Sequence, residues 1–256
     1  MGTDRLNGSL YTNIEHKIAT VEFGHPASNS FPSVLLQRLT DQINLLSDNP
    51  EVSVILLKSE GEKTFCAGAS FDELIAISNP QQGTVFFSGF AKLINAMRSC
   101  RKLIIGRIQG KAVGGGVGLI AACDYALATE SAAVKLSELS IGIGPFVIAP
   151  VVKHKIGVSG LAELSLDPTQ WKNAYWAKEK GLFARVFETQ KELDKEIDIF
   201  CSKLASYNPM ALNAMKKTLW EGTDHWDTLL LKQAETSGAL VLSEFAKEAL
   251  EKFKNK

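Results

Sequence analysis

Residues 103–124 read LIIGRIQGKAVGGGVGLIAACD. Leu103–Ile108 is a short run rich in β-branched residues, three consecutive glycines follow at 114–116, and an apolar run then leads through Leu119–Cys123. A strand that closes on a glycine turn and reopens as an apolar helical run is the βα step of an α/β fold. The same order stands upstream. IATVEF (Ile18–Phe23) and VSVILL (Val52–Leu57) read as strands, and between them lies SFPSVLLQRLTDQINLLSDNP. There Leu35, Leu36, Leu39, Ile43, Leu45 and Leu46 recur at three- and four-residue spacing, which predicts a helix ended by Pro50. Strand, helix and strand in this order imply a right-handed crossover.

Helical stretches are predicted over Asp72–Ile77 and Val85–Met97. From Pro168 onward strand signals fade apart from Ala184–Phe187, and three helical segments follow: Gln190–Ala205, Pro209–Trp220 and Trp226–Phe253. Asn208 precedes a proline and so marks a break between the first two. The organisation expected is a core over 1–190 and a helical region over 191–256, with no repeat of fixed period.

Composition narrows the function. In 256 residues, 28 Lys plus Arg balance 28 Asp plus Glu, so no global field recruits nucleic acid or anionic lipid. Hydrophobic residues make up 45%, which is globular usage. The four cysteines (Cys66, Cys100, Cys123, Cys201) are widely spaced and read as reduced thiols, which points to the cytoplasm. The N-terminal residues lack the basic and apolar regions of a signal peptide. Apolar runs meet a charge well before the ~18 residues a membrane span requires.

Three segments can carry chemistry. In TFCAGASFDEL (Thr64–Leu74), small residues follow a strand and precede a helix, so backbone can approach a ligand closely; Ser70 as a simple helix cap explains the same pattern. In IQGKAVGGGVGLIAACD (Ile108–Asp124), free N–H groups at a helix start suit a phosphate or a developing oxyanion. Close helix packing through glycine is the alternative. The spacing fits neither GxGxxG nor the Walker pattern, because Leu119 stands where the former needs its third Gly and Lys111 is followed by Ala112. In AAVKLSELSIGIGPFVIAP (Ala132–Pro150), Glu138 is the lone acid of an apolar stretch: either a poorly solvated proton-transfer group or a solvated strand end. The histidines and cysteines show no metal-ligand spacing, and no His stands at a readable spacing from Cys66 or Ser70.

In this order the segments FCAGASFDEL, GKAVGGGVGLIAACDYALATESA and LSELSIGIGP resemble the crotonase family, the enoyl-CoA hydratase/isomerase superfamily, and HPASNSFPSVLLQRL is similar to its first strand-to-helix passage. The resemblance covers about Leu10 to Phe187. It implies an α/β fold, a crotonase-like spiral of ββα turns with a helical C-terminal region used in trimer or hexamer contacts. It also implies a coenzyme A thioester as substrate and no further cofactor. By position, Ala69 and Gly115 become the backbone N–H donors to the thioester oxygen and Glu138 the proton-transfer residue, while Ala67, Gly68, Ser70, Asp72, Gly114 and Gly118 lie along the substrate. The chain departs from the family twice: Ser70 replaces its usual Asp, and Gly118 stands where two-carboxylate hydratases have Glu. The pairing of GGGVGL with SELSIGIGPFVIAPVV resembles the methylglutaconyl-CoA hydratase branch, so enoyl-CoA hydration is placed ahead of Δ3,Δ2-isomerisation, with a non-catalytic acyl-CoA-binding protein third. Glu at 118 is expected to improve hydration if the site has room for it.

Overall fold

The computed structural model describes residues 7–254; the N-terminal reading for a leader begins in residues outside that range. The chain opens with β1 (Ser9–Glu15) and β2 (Ile18–Gly24), antiparallel in register from Ser9 opposite Gly24 to Glu15 opposite Ile18. α1 (Ser33–Asp48) buries Leu35, Leu36, Leu39, Ile43 and Leu46, whereas Leu45 faces water. From there the chain climbs in repeated turns. β3 (Val54–Ser59), β4 (Thr64–Cys66), α2 (Phe71–Ile75) and α3 (Pro80–Ser99) make one; β5 (Leu103–Ile108), β6 (Lys111–Val113) and α4 (Gly115–Ala122) the next; β7 (Tyr125–Thr129), β8 (Ala133–Lys135), a one-turn 3-10 segment (Glu138–Ile141) and α5 (Ala149–Leu166) the third.

In each turn the first strand joins one sheet and the second strand another. The larger sheet has the order β1-β2-β3-β5-β7-β10, and the smaller β4-β6-β8-β9. β9 (Lys172–Asn173), α6 (Ala174–Glu179) and β10 (Arg185–Phe187) complete the two sheets. Successive turns pair in parallel, β2 with β3, β3 with β5, β5 with β7 and β7 with β10. This is the α/β spiral of ββα turns expected from the resemblance.

The apolar runs follow from burial on both faces of a parallel sheet. Ile55 and Leu57 enter the main core; Val54 and Leu56 point the other way, onto Leu193, Ile197 and Cys201 of α7 (Gln190–Ser206) and Leu212 of α8 (Pro209–Leu219). α8 is latched by a buried charge pair. Lys216 Nζ donates to Asp124 Oδ2 at 2.7 Å, and the same carboxylate accepts from Trp220 Nε1 and from the Ile104 N–H at 2.7 Å each.

The predicted Trp226–Phe253 helix is two helices, α9 (Trp226–Leu240) and α10 (Glu244–Lys254). The break has a local cause, since Ser243 Oγ accepts from the Ala246 N–H and starts the second helix. Both pack on their own chain. α9 lies along α3, touching it where Gly83 meets Gly238, and α10 covers the 3-10 segment, where Ala246 and Leu250 join Leu74, Phe86 and Ile143 in a separate apolar cluster. Leu231 and Phe245 stay exposed. Among the described residues no helix is long and apolar enough to cross a membrane.

Candidate active site

The first loop is set by its hydrogen bonds. Beyond β4 the chain takes a positive φ at Gly68 (+87°), and on either side of Ala69 the backbone is claimed by Phe31: the Phe31 N–H donates to Gly68 O (2.8 Å) and the Ser70 N–H to Phe31 O (2.9 Å). The Ala69 N–H is left with no acceptor among the described residues. Ser70 is the buried cap of α2, accepting from the Glu73 N–H at 3.3 Å. The Glu73 carboxylate in turn accepts from the Ser33 N–H at 3.0 Å. Ser70 in the place of an Asp therefore leaves the loop tied down through α2 and the start of α1.

The second loop begins at Gly114, with φ +54° and ψ −119°, a conformation closed to residues with a side chain. Its N–H donates to Lys135 O (2.9 Å), its carbonyl accepts from the Val117 N–H (2.8 Å), and the Gly115 N–H at the start of α4 has no acceptor among the described residues. The loops touch through backbone. A Cβ on Gly68 would stand 3.4 Å from Gly115 N, and one on Gly116 would stand 2.5 Å from Cys66 O. Glycine here serves both readings of the sequence: it permits the packing and leaves the helix end open.

Glu138 opens the 3-10 segment directly over this end. A Cβ on Gly114 would lie 2.7 Å from Glu138 Oε1. Although the residue as a whole is half-buried, Oε2 is out of reach of solvent and without a hydrogen-bond partner among the described residues. Burial pushes the carboxyl from 4.5 up to about 7, against a weaker downward pull from its own backbone N–H. A group poised there is populated in both protonation states at neutral pH.

Ala67, Gly68, Ala69, Gly114, Gly115 and Glu138 line one cavity of about 330 Å³. Its remaining wall is mostly apolar, built from Phe71, Leu74, Phe86, Phe87 and Phe90 together with Ile141 and residues 143–148. Ser70 and Asp72 are not in the lining; Asp72 is exposed on α2. Gly118 is not in it either. A Cβ at 118 would stand 2.5 Å from a methyl of Ile148, which itself faces the cavity, so Glu at that position has no room unless Ile148 moves. Cys66 lies buried under the first loop with its thiol pushed up to about 12 by burial, which leaves it protonated and a poor nucleophile.

Among the wall residues that escaped the sequence reading are Lys135 and Ser237. Lys135 lies in the lining, its ammonium 4.7 Å from the centroid of Trp171. Ser237 arrives from α9, a buried residue whose hydroxyl has no hydrogen-bond partner among the described residues, carried to the cavity by the Gly83–Gly238 contact. The small-residue run Ser237-Gly238-Ala239 is the available signal for such close helix packing, but nothing in it names α3 as the other side.

Residues 13–256 match the family described as enoyl-CoA hydratase/isomerase. A peroxisomal Delta(3,5)-Delta(2,4)-dienoyl-CoA isomerase of Arabidopsis thaliana is 30% identical over 192 residues, 69% of this chain and 67% of that protein. A short-chain-enoyl-CoA hydratase of Clostridium acetobutylicum is 28% identical over 242 residues, 93% and 92% of the two chains. The crystal structure of enoyl-CoA hydratase from Bacillus halodurans superposes with a TM-score of 0.88 over 95% of this chain and 99% of that one, at 20% identity.

Proposed function

The chain belongs to the enoyl-CoA hydratase/isomerase family, and from that premise we propose that it moves the double bond of an enoyl-CoA, with Glu138 as sole acid-base and the Ala69 and Gly115 N–H groups as oxyanion donors. The observation that carries the reading is the solitude of Glu138. Among the described residues no other carboxylate and no His lines the cavity, and the Gly118 site is closed by Ile148.

The Glu138 carboxylate takes a proton from the α-carbon of a β,γ-enoyl thioester. The C–H electron pair becomes the enolate double bond, and negative charge collects on the thioester oxygen. Two fixed N–H donors in a dry site stabilise that charge, each worth ~3 kcal/mol or more. As the carbonyl re-forms, the double bond settles between the α- and β-carbons, and the γ-carbon takes the same proton back from Glu138. A carboxyl of pKa near 7 suits both halves, and an apolar wall keeps the proton from escaping to water.

Hydration through Glu138 alone is a second reading, supported by the hydratase name of the Clostridium relative across nearly the whole chain. The aromatic wall supports an uncharged acyl group over the terminal carboxylate of a methylglutaconyl chain, since the ammonium of Lys135 lies against Trp171. Assembly as a trimer or hexamer belongs to the same proposal, supported by exposed Met210, Met215, Leu219 and Leu231 on α8 and α9. Incubating β,γ- and α,β-enoyl-CoA substrates in deuterated water decides the chemistry. Isomerisation gives a product of unchanged composition apart from exchanged hydrogen, whereas a product heavier by one water, formed without any bond migration, overturns the isomerase reading.

A further inference from the structure

A second cavity, of about 490 Å³, lies between the start of α5 and the α8–α9 connection. Its inner wall is apolar, built from Ala149, Pro150, Leu161, Trp226 and Leu229, while Lys153, His154, Glu221 and His225 stand exposed at its rim. Of the residues lining it, only Phe146 also lines the cavity that holds Glu138. One phenyl ring is thus the side chain common to both spaces.

That ring is held from its own loop. Gly144 has φ +85°, and a Cβ there would stand 2.7 Å from the Phe146 ring, so the glycine is needed both for the backbone turn and for the place of the ring. The far wall has packing contacts of its own, independent of Phe146: Trp226 packs edge-on against Trp220 (6.0 Å between centroids), and His154 stacks on Trp220 at 5.1 Å. A space bounded in this way persists when the ring is removed instead of collapsing.

We propose that Phe146 is the stop of the acyl cavity, the residue that sets the longest straight, uncharged acyl chain the site accepts, and that the second cavity is the space a longer tail enters once the ring is gone. The inference rests on the reading of the first cavity as the acyl site. It concerns length alone and holds whether the chemistry is isomerisation or hydration.

The test is binding of saturated acyl-CoA thioesters from butanoyl to hexadecanoyl by the full chain, with turnover of the matching enoyl-CoA series alongside. For the unaltered protein, affinity climbs with each added carbon and then levels off at one length. In Phe146→Ala the climb continues past that length by ~4-fold per methylene, the equivalent of ~0.8 kcal/mol for each buried CH₂, and the ratio of long-chain to short-chain kcat/KM rises with it. Phe146→Leu shifts the limit less in the same direction and carries the test if the alanine variant fails to fold. Levelling at the same length in both variants, or no levelling in the unaltered protein, overturns the proposal. Failure of every acyl-CoA to bind the unaltered protein overturns the acyl-site reading with it, so the two failures are told apart.

Discussion

Glu138 carries the sharpest expectations, because its burial affects both rate and stability. Glu138→Gln should lower turnover at least ~100-fold, the usual reach of general acid-base catalysis being ~10²–10⁴, while CoA-product affinity stays within a few-fold. Rates near those of the parent would remove Glu138 from the chemistry. In the isomerase direction the carboxylate is the active form, so kcat/KM should rise through a pKa near 7. The linkage runs the other way: between pH 4.5 and about 7 the unfolded chain releases this proton while the folded one keeps it, so stability falls as pH rises. Glu138→Gln should therefore stabilise the protein above pH 7, by about 3 kcal/mol at most, and not below pH 4.5, as urea unfolding at the two extremes would check. A substrate analogue with CH₂ in place of the thioester carbonyl should bind at least ~10-fold more weakly, since the Ala69 and Gly115 donors then meet no acceptor. At this scale the sequence showed that Glu138 stood alone among apolar neighbours, but not whether water reached it. Solvation of one oxygen depends on Gly114 and the covering helices, which no local pattern encodes.

Elements were legible where burial is periodic and obscure where it is not. α1, α7 and α8 follow their apolar spacing to within a residue or two. β1, largely exposed at the sheet edge, and α5, broken at Gly157 with φ +73°, carry no clean period and went unread. Nor did the helical pattern show which partner α9 would choose. That choice rests on Gly83 and Gly238, where a Cβ on either would come within 2.6 Å of the facing backbone. Gly83→Val should push α9 from α3, withdraw Ser237 from the cavity wall and lower both melting temperature and acyl-CoA affinity. Its signature is loss of both, whereas unchanged acyl-CoA affinity in a folded variant would show that the contact does not shape the cavity. Gly118→Glu, limited by Ile148, should gain nothing alone, and pairing it with Ile148→Ala is the variant to assay for faster hydration.

For the whole molecule, the assignment of each strand to one of two sheets could not be read from the chain, because βα periodicity is the same whichever sheet receives the strand. The family resemblance supplied it. The resemblance implies a helical C-terminal region used in contacts between chains, yet Leu230 is fully buried and Leu229 and Leu242 pack within their own chain, leaving α8 and parts of α9 and α10 to offer apolar surface outward. Light scattering should give a trimeric or hexameric mass, and ending the chain before Trp226 should abolish activity, because the cavity would lose Ser237 and the 3-10 segment its α10 cover. Full activity in such a truncated monomer would show that neither matters.

The latch at Asp124 has a consequence for how this protein tolerates change. Removing one partner of a buried charge pair leaves the other uncompensated, at a cost of ~3–5 kcal/mol, comparable to the net stability of many domains. The side chains of Lys216 and Asp124 are 3% and 2% exposed. In a survey of random variants scored only by growth or by activity in lysates, Asp124 and Glu138 should look equally intolerant. Measured protein abundance separates them, with Glu138 variants accumulating as inert, folded chains and Asp124 variants depleted before any question of chemistry arises.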